Sequence, residues 1–282
     1  MEPGKERQYD AVIAEHYRKV AEDSGLSCTS TMADEITRRL ETEAITHFVS
    51  MALKGYLDAG GTGPATIMDV GCGNGYTLGR LVECFPDHRF IGVEHSRELR
   101  ALASSRFLQH GNVTVVAGDI RTPGFAPPDS ADVLICQRVL INLLDLGDQR
   151  AALDNIISVL PTPDQGRAAG KCIFIEGFSS YLKTLNEARA EFDLPAILPA
   201  SHNLYLPEKF FDTPRLRAVD ASSIPPPNFL STHYYVTRVL HPCLTRDKPF
   251  KRNSAFVAFF SEALKKNVGD FSPVRLQVFE RA

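Results

Sequence analysis

The segment 69–75, Asp-Val-Gly-Cys-Gly-Asn-Gly, constrains the fold of this chain more than any other feature. The apolar run 65–70 leads into it and predicts a buried strand, and a helical pattern over 76–84 follows it. Glycine at every second position lets the backbone turn sharply from strand to helix and approach a ligand without a clash from Cβ. The segment therefore predicts a strand, a loop and a helix with a ligand at the loop. The alternative is a tight turn that binds nothing.

The residues around this loop narrow the class of ligand. A dinucleotide-binding fingerprint would need its third glycine at position 76, which is Tyr76, and no Gly-Lys-Ser/Thr follows that would make a phosphate-cradling loop. Asp69 would suit the ammonium of an amino-acid moiety. Glu94, which ends the second predicted strand, can accept hydrogen bonds from two ribose hydroxyls, a device that nicotinamide-dependent enzymes share. Asp119 and Ile120 follow the third predicted strand and could bind an adenine ring, although this sequence is also ordinary for a turn.

Short apolar runs alternate with helical patterns through most of the chain, which predicts an α/β fold. Alternation of this kind builds right-handed βαβ units, a parallel sheet and a site at the carboxyl ends of the strands. The predicted strands are 65–70, 89–94, 113–117, 131–136, 171–176, 216–221 and 274–280. The predicted helices are 76–84, 97–109, 149–160, 181–193, 207–212 and 254–265.

The first 63 residues have a helical pattern. Thr31, with Asp34 three residues later, fits the start of a helix, and apolar residues then recur at four-residue spacing. This stripe consists of Ile36, Leu40, Ala44, Phe48 and Ala52, and the glycines and proline of 60–64 end the segment. We therefore expect a helix whose apolar stripe faces the core.

Together these residues resemble the class I S-adenosylmethionine (SAM)-dependent methyltransferases of the small-molecule type. Segment 69–75 matches their first motif, Glu94 their ribose-binding acid, Asp119 and Ile120 their adenine contact, and Cys-Gln-Arg at 136–138 lies at their fourth motif. One departure is the long turn 161–170, where the family often has a short Pro-Gly-Gly turn. The resemblance implies SAM as the cofactor, bound by Asp69, Gly71, Cys72, Gly73, Asn74, Glu94, Asp119, Ile120 and Gln137.

The resemblance also implies the architecture. We expect a Rossmann-like, seven-stranded, mostly parallel sheet with helices on both faces, and a C-terminal antiparallel strand pair with a helical insertion. The expected parts are an N-terminal helical lid (1–63), the SAM-binding core (64–180), and a part with substrate-side lid helices and the last strands (181–282). In the lid, Tyr9 and Tyr17 could cover the cofactor, and Arg38 or Arg39 could pair with its carboxylate. Both arginines lie off the apolar stripe, so a solvated helix face is the alternative.

The family's reaction is an in-line methyl transfer, for which the enzyme aligns the reactants and excludes water. A hydroxyl acceptor also needs a base near neutral pH, for which histidine is the commonest choice. His233, in a segment rich in hydroxyls, and His202, on the expected lid after the fifth strand, are the candidate catalytic residues, and Glu176 is another candidate base. A structural histidine is the alternative for each.

The sequence constrains the identity of the methyl acceptor less than it constrains the fold and the cofactor. The aromatic and hydroxyl residues of 201–238 suit a closed pocket, so we expect a polar small molecule, methylated at oxygen and of natural-product or glycan type. One alternative is a protein or RNA acceptor, although the chain has no Asp/Asn-Pro-Pro-Tyr signature for base amines. Further alternatives are a nicotinamide-dependent oxidoreductase and a catalytically inactive SAM-binding module.

Composition bears on partners and location. The formal net charge is −3, and the densest basic spots are Lys265-Lys266 and the group Lys248, Lys251 and Arg252. We read these as solvated surface and expect no nucleic-acid or membrane partner. The six cysteines are scattered without a C-x-x-C pair, which predicts no metal site. With no signal-peptide pattern and no apolar stretch of the ~20 residues that span a bilayer, a reducing cytoplasm fits best. Monomer and homodimer both remain open.

Overall fold

Parallel strands that are apolar on both faces form the centre of the molecule, a computed structural model that describes residues 9–163, 167–220, 222–245, 251 and 253–282. They form one seven-stranded sheet in the order β3-β2-β1-β4-β5-β7-β6. Strands β1 to β5 are parallel, and β7 runs antiparallel to both β5 and β6. The strands are β1 (Thr66–Val70), β2 (Arg89–Glu94), β3 (Val113–Ala117), β4 (Val133–Gln137), β5 (Lys171–Gly177), β6 (Leu216–Ala218) and β7 (Val274–Arg281).

Helices precede, connect and follow these strands. Those in the first two thirds of the chain are α1 (Asp10–Ser24), α2 (Glu35–Asp58), α3 (Tyr76–Cys84), α4 (Arg97–Arg106), α5 (Leu146–Val159) and α6 (Ser179–Ala190). A 3₁₀ turn, Leu140–Asn142, follows β4. The insertion between β6 and β7 holds α7 (Ser231–Tyr235), a π-helical turn (Val236–Leu240), α8 (His241–Leu244) and α9 (Ala255–Ala263).

The sheet separates two apolar layers. Because neighbouring residues of a strand point to opposite faces, Ile135 of β4 packs in one layer and Leu134 in the other. Phe48 of α2 and Leu78 of α3 belong to the first layer, and Ile156 of α5 belongs to the second. The predicted Rossmann-like fold, with helices on both faces and a C-terminal antiparallel pair with its helical insertion, is confirmed.

Several predicted helix boundaries are wrong. Residues 207–212 are not a helix, because Phe210 and Asp212 each donate only to the carbonyl three residues earlier and make two separate turns. The side chains of Phe210 and Phe211 are both buried in the layer beneath. Helix α4 ends three residues before the predicted end at 109, and α6 covers 179–190 instead of 181–193.

The start of α2 also differs from its prediction. Asp34, rather than Thr31, is the N-cap, because its carboxylate accepts from the backbone N–H of Thr37 at 3.0 Å. The same carboxylate lies 3.1 Å from Nε2 of His233 in α7 and 3.6 Å from a guanidinium nitrogen of Arg238. One buried carboxylate therefore both starts α2 and fixes it to the insertion between β6 and β7.

The predicted apolar stripe of α2 is correct only in its C-terminal half. Ala44, Phe48 and Ala52 are buried, whereas Ile36 and Leu40 are only half-buried. In the first turns the buried face is polar and consists of Thr37, Arg38, Glu41 and Thr42. Within the described residues, no helix combines the length and the apolar composition needed to cross a bilayer.

We expect Asp34→Ala to lower the free energy of unfolding by about 2–4 kcal/mol, because it removes a helix cap and the partner of a buried imidazole. Burial raises the pKa of Asp34, but its contacts with His233 outweigh burial and lower the pKa to about 2. The stability from this lowered pKa is complete above the carboxyl's ordinary pKa of about 4 and is lost as pH falls toward 2. Urea titrations over this pH range measure both effects.

Asp34→Asn is the matched control, because an amide oxygen can still cap the helix but carries no charge. It should cost less than Asp34→Ala and should reduce the pH dependence between about 4 and 2 by the part that Asp34 contributes. Equal unfolding free energies for the wild type and Asp34→Ala would contradict the role given to this carboxylate.

Candidate active site

The loop between β1 and α3 needs backbone conformations that favour glycine. Gly71, Gly73 and Gly75 have φ angles of 70°, 57° and 77°, in the left-handed region that other residues rarely adopt. A Cβ on Gly71 would also lie 2.4 Å from a methyl group of Val139. The N–H of Gly71 donates to the carbonyl of Val93 at 2.7 Å, which ties the loop to the end of β2. The loop is therefore fixed at the carboxyl edge of the sheet.

A cavity of about 430 Å³ lies beside this loop. Its walls come from the carboxyl ends of β1, β2 and β4, from α1, and from the first turns of α2. This is the edge at which open parallel sheets bind their ligands. The structure brings all the predicted cofactor residues to the lining: Tyr17, Arg38, Asp69, Gly71, Cys72, Gly73, Asn74, Glu94, Asp119, Ile120 and Gln137.

Asp69, at the end of β1, has a carboxyl group that is buried among protein atoms and lines the cavity. Its environment contains the charges of Glu94 and Arg38, and within the described part of the chain its side chain forms no hydrogen bond. Burial, and then the negative charge of Glu94, raise the pKa of Asp69 to about 8. A positively charged ligand group would offset both effects.

Glu94 ends β2, and its carboxylate is bound by backbone groups. One oxygen accepts from the N–H of Gly73 at 2.8 Å, and the other accepts from the N–H of Ser96 at 2.7 Å. Burial raises the pKa of Glu94 despite these bonds. The glycine loop and β2 thus meet at one buried carboxylate, which still has lone pairs for a ligand.

Asp119, after β3, is already engaged by a neighbouring arginine. Arg121 donates to its carboxylate from Nε at 3.0 Å and from Nη2 at 2.6 Å. Burial raises the pKa of Asp119, but these bonds and the charge of Arg121 outweigh burial and lower it. Arg121 also donates to Asp10 of α1 at 2.7 Å. A ligand that hydrogen-bonds Asp119 must share it with the guanidinium that holds α1 in place.

The end of β4 contacts α2 through a carboxylate that the sequence analysis did not identify. Glu41 is fully buried and accepts from Nε2 of Gln137 at 2.6 Å and from Nε of Arg138 at 3.0 Å. Thr77 donates to the other end of the Gln137 amide at 3.1 Å. In the sequence, the only signal for a role of Glu41 was its position one helical turn after Arg38. In the structure both residues lie on the polar buried face of α2.

The two predicted arginines of α2 lie in different environments. Arg38 is buried and donates to the carbonyl of Cys28 at 3.1 Å and to the hydroxyl of Thr31. Burial lowers its pKa. The expectation of a solvated helix face is therefore wrong for Arg38 and correct for Arg39, which is exposed and pairs with Glu262 at 2.7 Å. Of the two, only Arg38 lines the cavity.

The wall formed by α1 and by the segment after α6 is polar. The rings of His16 and His202 stack with centroids 3.7 Å apart and planes 17° apart. Burial lowers the pKa of both histidines, and the charge of His16 lowers that of His202 further. Tyr17 accepts from Nδ2 of Asn142 at 2.5 Å. The structure places His202 in the lining as predicted, together with His16, which the sequence analysis missed.

The structure places His233, the other predicted catalytic histidine, outside the lining of this cavity. It is buried between α2 and α9, with Nδ1 2.8 Å from the hydroxyl of Ser261 and Nε2 against Asp34. Both ring nitrogens have partners in the protein, so this imidazole has a structural position. The position of His233 in a segment of hydroxyls could not reveal which side of α7 faces the cavity.

Glu176, the third candidate base, is also absent from the cavity lining. Its buried carboxylate accepts from the backbone N–H groups of Val139, Leu140 and Ile141 at 2.9, 2.9 and 3.3 Å. Burial raises its pKa to about 7. Glu176 therefore shapes the turn after β4, and it is not positioned to take a proton from a ligand.

The described residues contain no group of three or more His, Cys, Asp or Glu side chains arranged to hold a metal ion. All six cysteines lie in described segments and are free thiols. Burial raises the pKa of Cys72, on the cavity wall, well above its ordinary value. The ionisable side chains that line the cavity are carboxylates, guanidiniums, imidazoles, phenols and the Cys72 thiol.

This chain is similar to known methyltransferases in part of its sequence and in its fold. Residues 67–162 match the family described as "Methyltransferase domain". The N-methyltransferase NodS from Bradyrhizobium japonicum WM9, in complex with S-adenosyl-L-homocysteine (SAH), shares the fold with a TM-score of 0.52 at 14% identity, over 95% of this chain and 98% of that chain. A chain from the complex between the Haloferax volcanii Trm112 methyltransferase activator and the putative methyltransferase gives a TM-score of 0.50 at 15% identity, over 99% of both chains.

Proposed function

We propose that this chain is a class I SAM-dependent methyltransferase that transfers the methyl group to an oxygen atom of a polar small molecule. The observation that carries the proposal is one continuous cavity whose lining includes both the predicted cofactor residues and a polar wall with His16, His202 and Asn142. Helix α1 covers this cavity and is bound across it by Arg121 and Asn142. A covered cavity suits a small acceptor better than a protein or RNA strand.

The charge distribution of the cavity fits SAM, which carries a sulfonium and an ammonium group. Asp69 and Glu94 are two buried carboxyl groups with raised pKa values, an arrangement that a cationic ligand would stabilise. We assign Asp69 to the ammonium and Glu94 to the ribose. Arg38 forms no ion pair within the described residues and is assigned to the cofactor's carboxylate.

We assign the remaining cofactor contacts from the positions of the residues that line the cavity. Asp119 and Ile120 would hold the adenine, with Arg121 sharing the Asp119 carboxylate. The backbone of the loop residues Gly71, Cys72, Gly73 and Asn74 would contact the cofactor. Gln137 and Tyr17 would contact the methionine part of the cofactor. The carboxylate of Glu41 orients the side chain of Gln137 by accepting a hydrogen bond from its amide nitrogen at 2.6 Å.

When bound, SAM supplies a methyl group on a positively charged sulfur. We assign the proton of the acceptor hydroxyl to His202, whose lowered pKa keeps the imidazole neutral and able to accept it at pH 7. His16 stacks on His202 and fixes the orientation of its ring. Asn142, fixed by Tyr17, can hydrogen-bond the acceptor, and α1 excludes water.

The assignment of acceptor class is tested with SAM that carries an isotopically labelled methyl group. The protein is incubated with a panel of hydroxylated small molecules, with peptides and with RNA, and the label is followed by mass spectrometry. We expect an O-methyl product among the small molecules. Recovery of the label only in peptide or RNA would contradict the proposal, and an N-methyl product would contradict the assignment to oxygen.

The cofactor site predicts that Glu94→Ala and Gly73→Val each weaken SAH binding. The first removes a charged acceptor of ribose hydrogen bonds, for about a tenfold to hundredfold loss of affinity. The second forces a branched side chain into a backbone with φ 57° at the cavity wall. Titration calorimetry measures both affinities.

Gly124→Val is the matched control for Gly73→Val, because Gly124 has a φ of 75° and open space around its Cβ position, and it does not line the cavity. It should carry the same backbone strain and leave SAH affinity unchanged. Wild-type affinity in both Glu94→Ala and Gly73→Val would refute the assigned cofactor site.

The raised pKa of Asp69 predicts that the protein releases a proton when SAH binds. Its pKa is about 8 in the free protein, and a bound ammonium lowers it, so below pH 8 the group loses its proton when the ligand binds. Affinity should therefore rise with pH between about 6 and 8, by up to about tenfold per pH unit. Calorimetry in buffers of different ionisation enthalpy counts the released proton. Asp69→Asn should weaken this dependence, and a wild type with pH-independent affinity would contradict the role assigned to Asp69.

His202→Asn should lower kcat by about 10²–10⁴-fold with an unchanged SAH affinity, because general-base catalysis is lost and the cofactor contacts are not. In the wild type, kcat should fall as pH drops below the lowered pKa of His202, because the protonated ring cannot accept a proton. The variant should lack this limb of the pH profile. His47→Asn, at an exposed position of α2, is the control. Full activity of His202→Asn would exclude it as the base.

A further inference from the structure

Helix α9 has the composition of a buried helix but the exposure of a surface one. Its nine residues, Ala255–Ala263, are apolar except for Ser261 and Glu262. Only Val257 is buried. A helix that is apolar nearly all round is expected to be covered by protein or lipid. In the described part of this chain, α9 is instead covered along one side.

The uncovered side carries aromatic rings. Phe259 has 65% of its surface exposed, on the face opposite Val257. Phe256 and Phe260 are partly buried, their ring centroids lie 4.6 Å apart, and the ring of Phe259 lies 5.3 Å from that of Phe260. With Ala263 these residues follow the spacing i, i+3, i+4 and i+7, which is one face of a helix. We call this face, Phe256, Phe259, Phe260 and Ala263, the α9 patch.

The other side of α9 is fixed by polar contacts. Ser261 lies 2.8 Å from Nδ1 of His233, and Glu262 lies 2.7 Å from Arg39 of α2. These contacts hold the helix in one rotation about its axis. Phe259 is therefore turned away from the described part of the protein, while Phe256, at the edge of the patch, also contacts the ring of His241 at 5.5 Å between centroids.

Basic residues flank the patch at both ends of the helix. Lys251 before it, and Lys265 and Lys266 after it, are exposed. In the sequence 246–266, six residues are Lys or Arg and two are Asp or Glu, although the whole chain has a net charge of −3. One of the two acids, Glu262, is paired with Arg39. The described basic residues next to the patch in the chain, Lys251, Lys265 and Lys266, therefore give its two ends positive charge on a protein whose net charge is negative.

We propose that the α9 patch binds the surface of an anionic phospholipid membrane, with the helix lying in the plane of the interface. An apolar face with aromatic residues and flanking lysines is the combination by which interfacial helices bind anionic lipids. Charge complementarity favours lipid over a second copy of this chain, because a symmetric contact through the patch would bring two sets of lysines together. Lys251, Lys265 and Lys266, which composition alone assigns to solvated surface, have this role in the proposal.

The proposal is tested by co-sedimentation of the full chain with vesicles. One set contains phosphatidylcholine with phosphatidylserine, and the other contains phosphatidylcholine alone. We expect binding to the first set, little binding to the second, and weaker binding as salt is raised, because the lysine contribution is electrostatic.

Two variants separate the apolar and the charged contributions. Phe259→Glu should lower the partition coefficient at least about tenfold, because a charge replaces the inserted ring. The double variant Lys265→Glu and Lys266→Glu should lower binding to the anionic vesicles by at least about fivefold for each lysine. Leu108→Glu is the control, because Leu108 is 79% exposed and follows α4. An unchanged melting temperature shows that each variant is folded.

Absence of wild-type binding to the anionic vesicles at low salt would overturn the proposal, as would equal binding by Phe259→Glu. Sedimentation velocity without lipid tests the competing occupant. A wild-type dimer that Phe259→Glu converts to a monomer, together with no vesicle binding, would assign the patch to a second copy. Methyl-transfer activity does not enter this test, so the proposed function and the membrane proposal can fail separately.

Discussion

Buried negative charge at one edge of the sheet is the constraint on which the site depends. Asp69, Glu41 and Glu94 are all buried at this edge, where the loss of hydration of each carboxylate must be compensated. The protein itself compensates two of them. Glu41 receives the guanidinium of Arg138 and the amide of Gln137, and Glu94 receives two backbone N–H groups. Asp69 receives no hydrogen bond from the described residues, and its raised pKa records that difference. Near neutral pH Asp69 therefore keeps its proton in the free protein, and the cationic ligand of the proposed function would allow it to ionise.

The compensated carboxylates also determine the shape of the site. Glu41 joins α2 to the end of β4, so the first turns of α2 stay against the sheet and carry Arg38 into the cavity. Glu176 binds three successive N–H groups after β4 and fixes the turn that leads to Asn142. In both cases a buried carboxylate positions backbone or side chains that face the ligand. Removing either group would leave donors without partners in a region where water has little access.

Sequence reasoning located the parts of the site that depend on local geometry. The glycine loop and the acids at the ends of β1 to β3 were found because parallel strands bring their carboxyl ends to one edge and glycine spacing reports backbone conformation. Sequence reasoning failed for residues whose position depends on how distant elements are oriented relative to one another. His233 and His202 look alike in sequence, but α7 turns the first toward Asp34 and Ser261, while the second reaches the cavity by stacking on His16, 186 positions earlier in the chain. The helix predicted at 207–212 failed because burial of two adjacent phenylalanines overrides a local pattern.

Helix α2 connects the two surfaces that bear on function. Arg38 and Arg39 are adjacent in the chain and about 100° apart around the helix, so the first faces the cavity while the second reaches Glu262 of α9. Asp34, at the start of the same helix, binds His233, which in turn binds Ser261 of α9. The α9 patch is thus joined to the cavity by two short chains of polar contacts through one helical turn. A surface that binds α9 would therefore be held in a fixed orientation relative to the cavity. Under the proposed function, that orientation would set the side from which the methyl acceptor approaches.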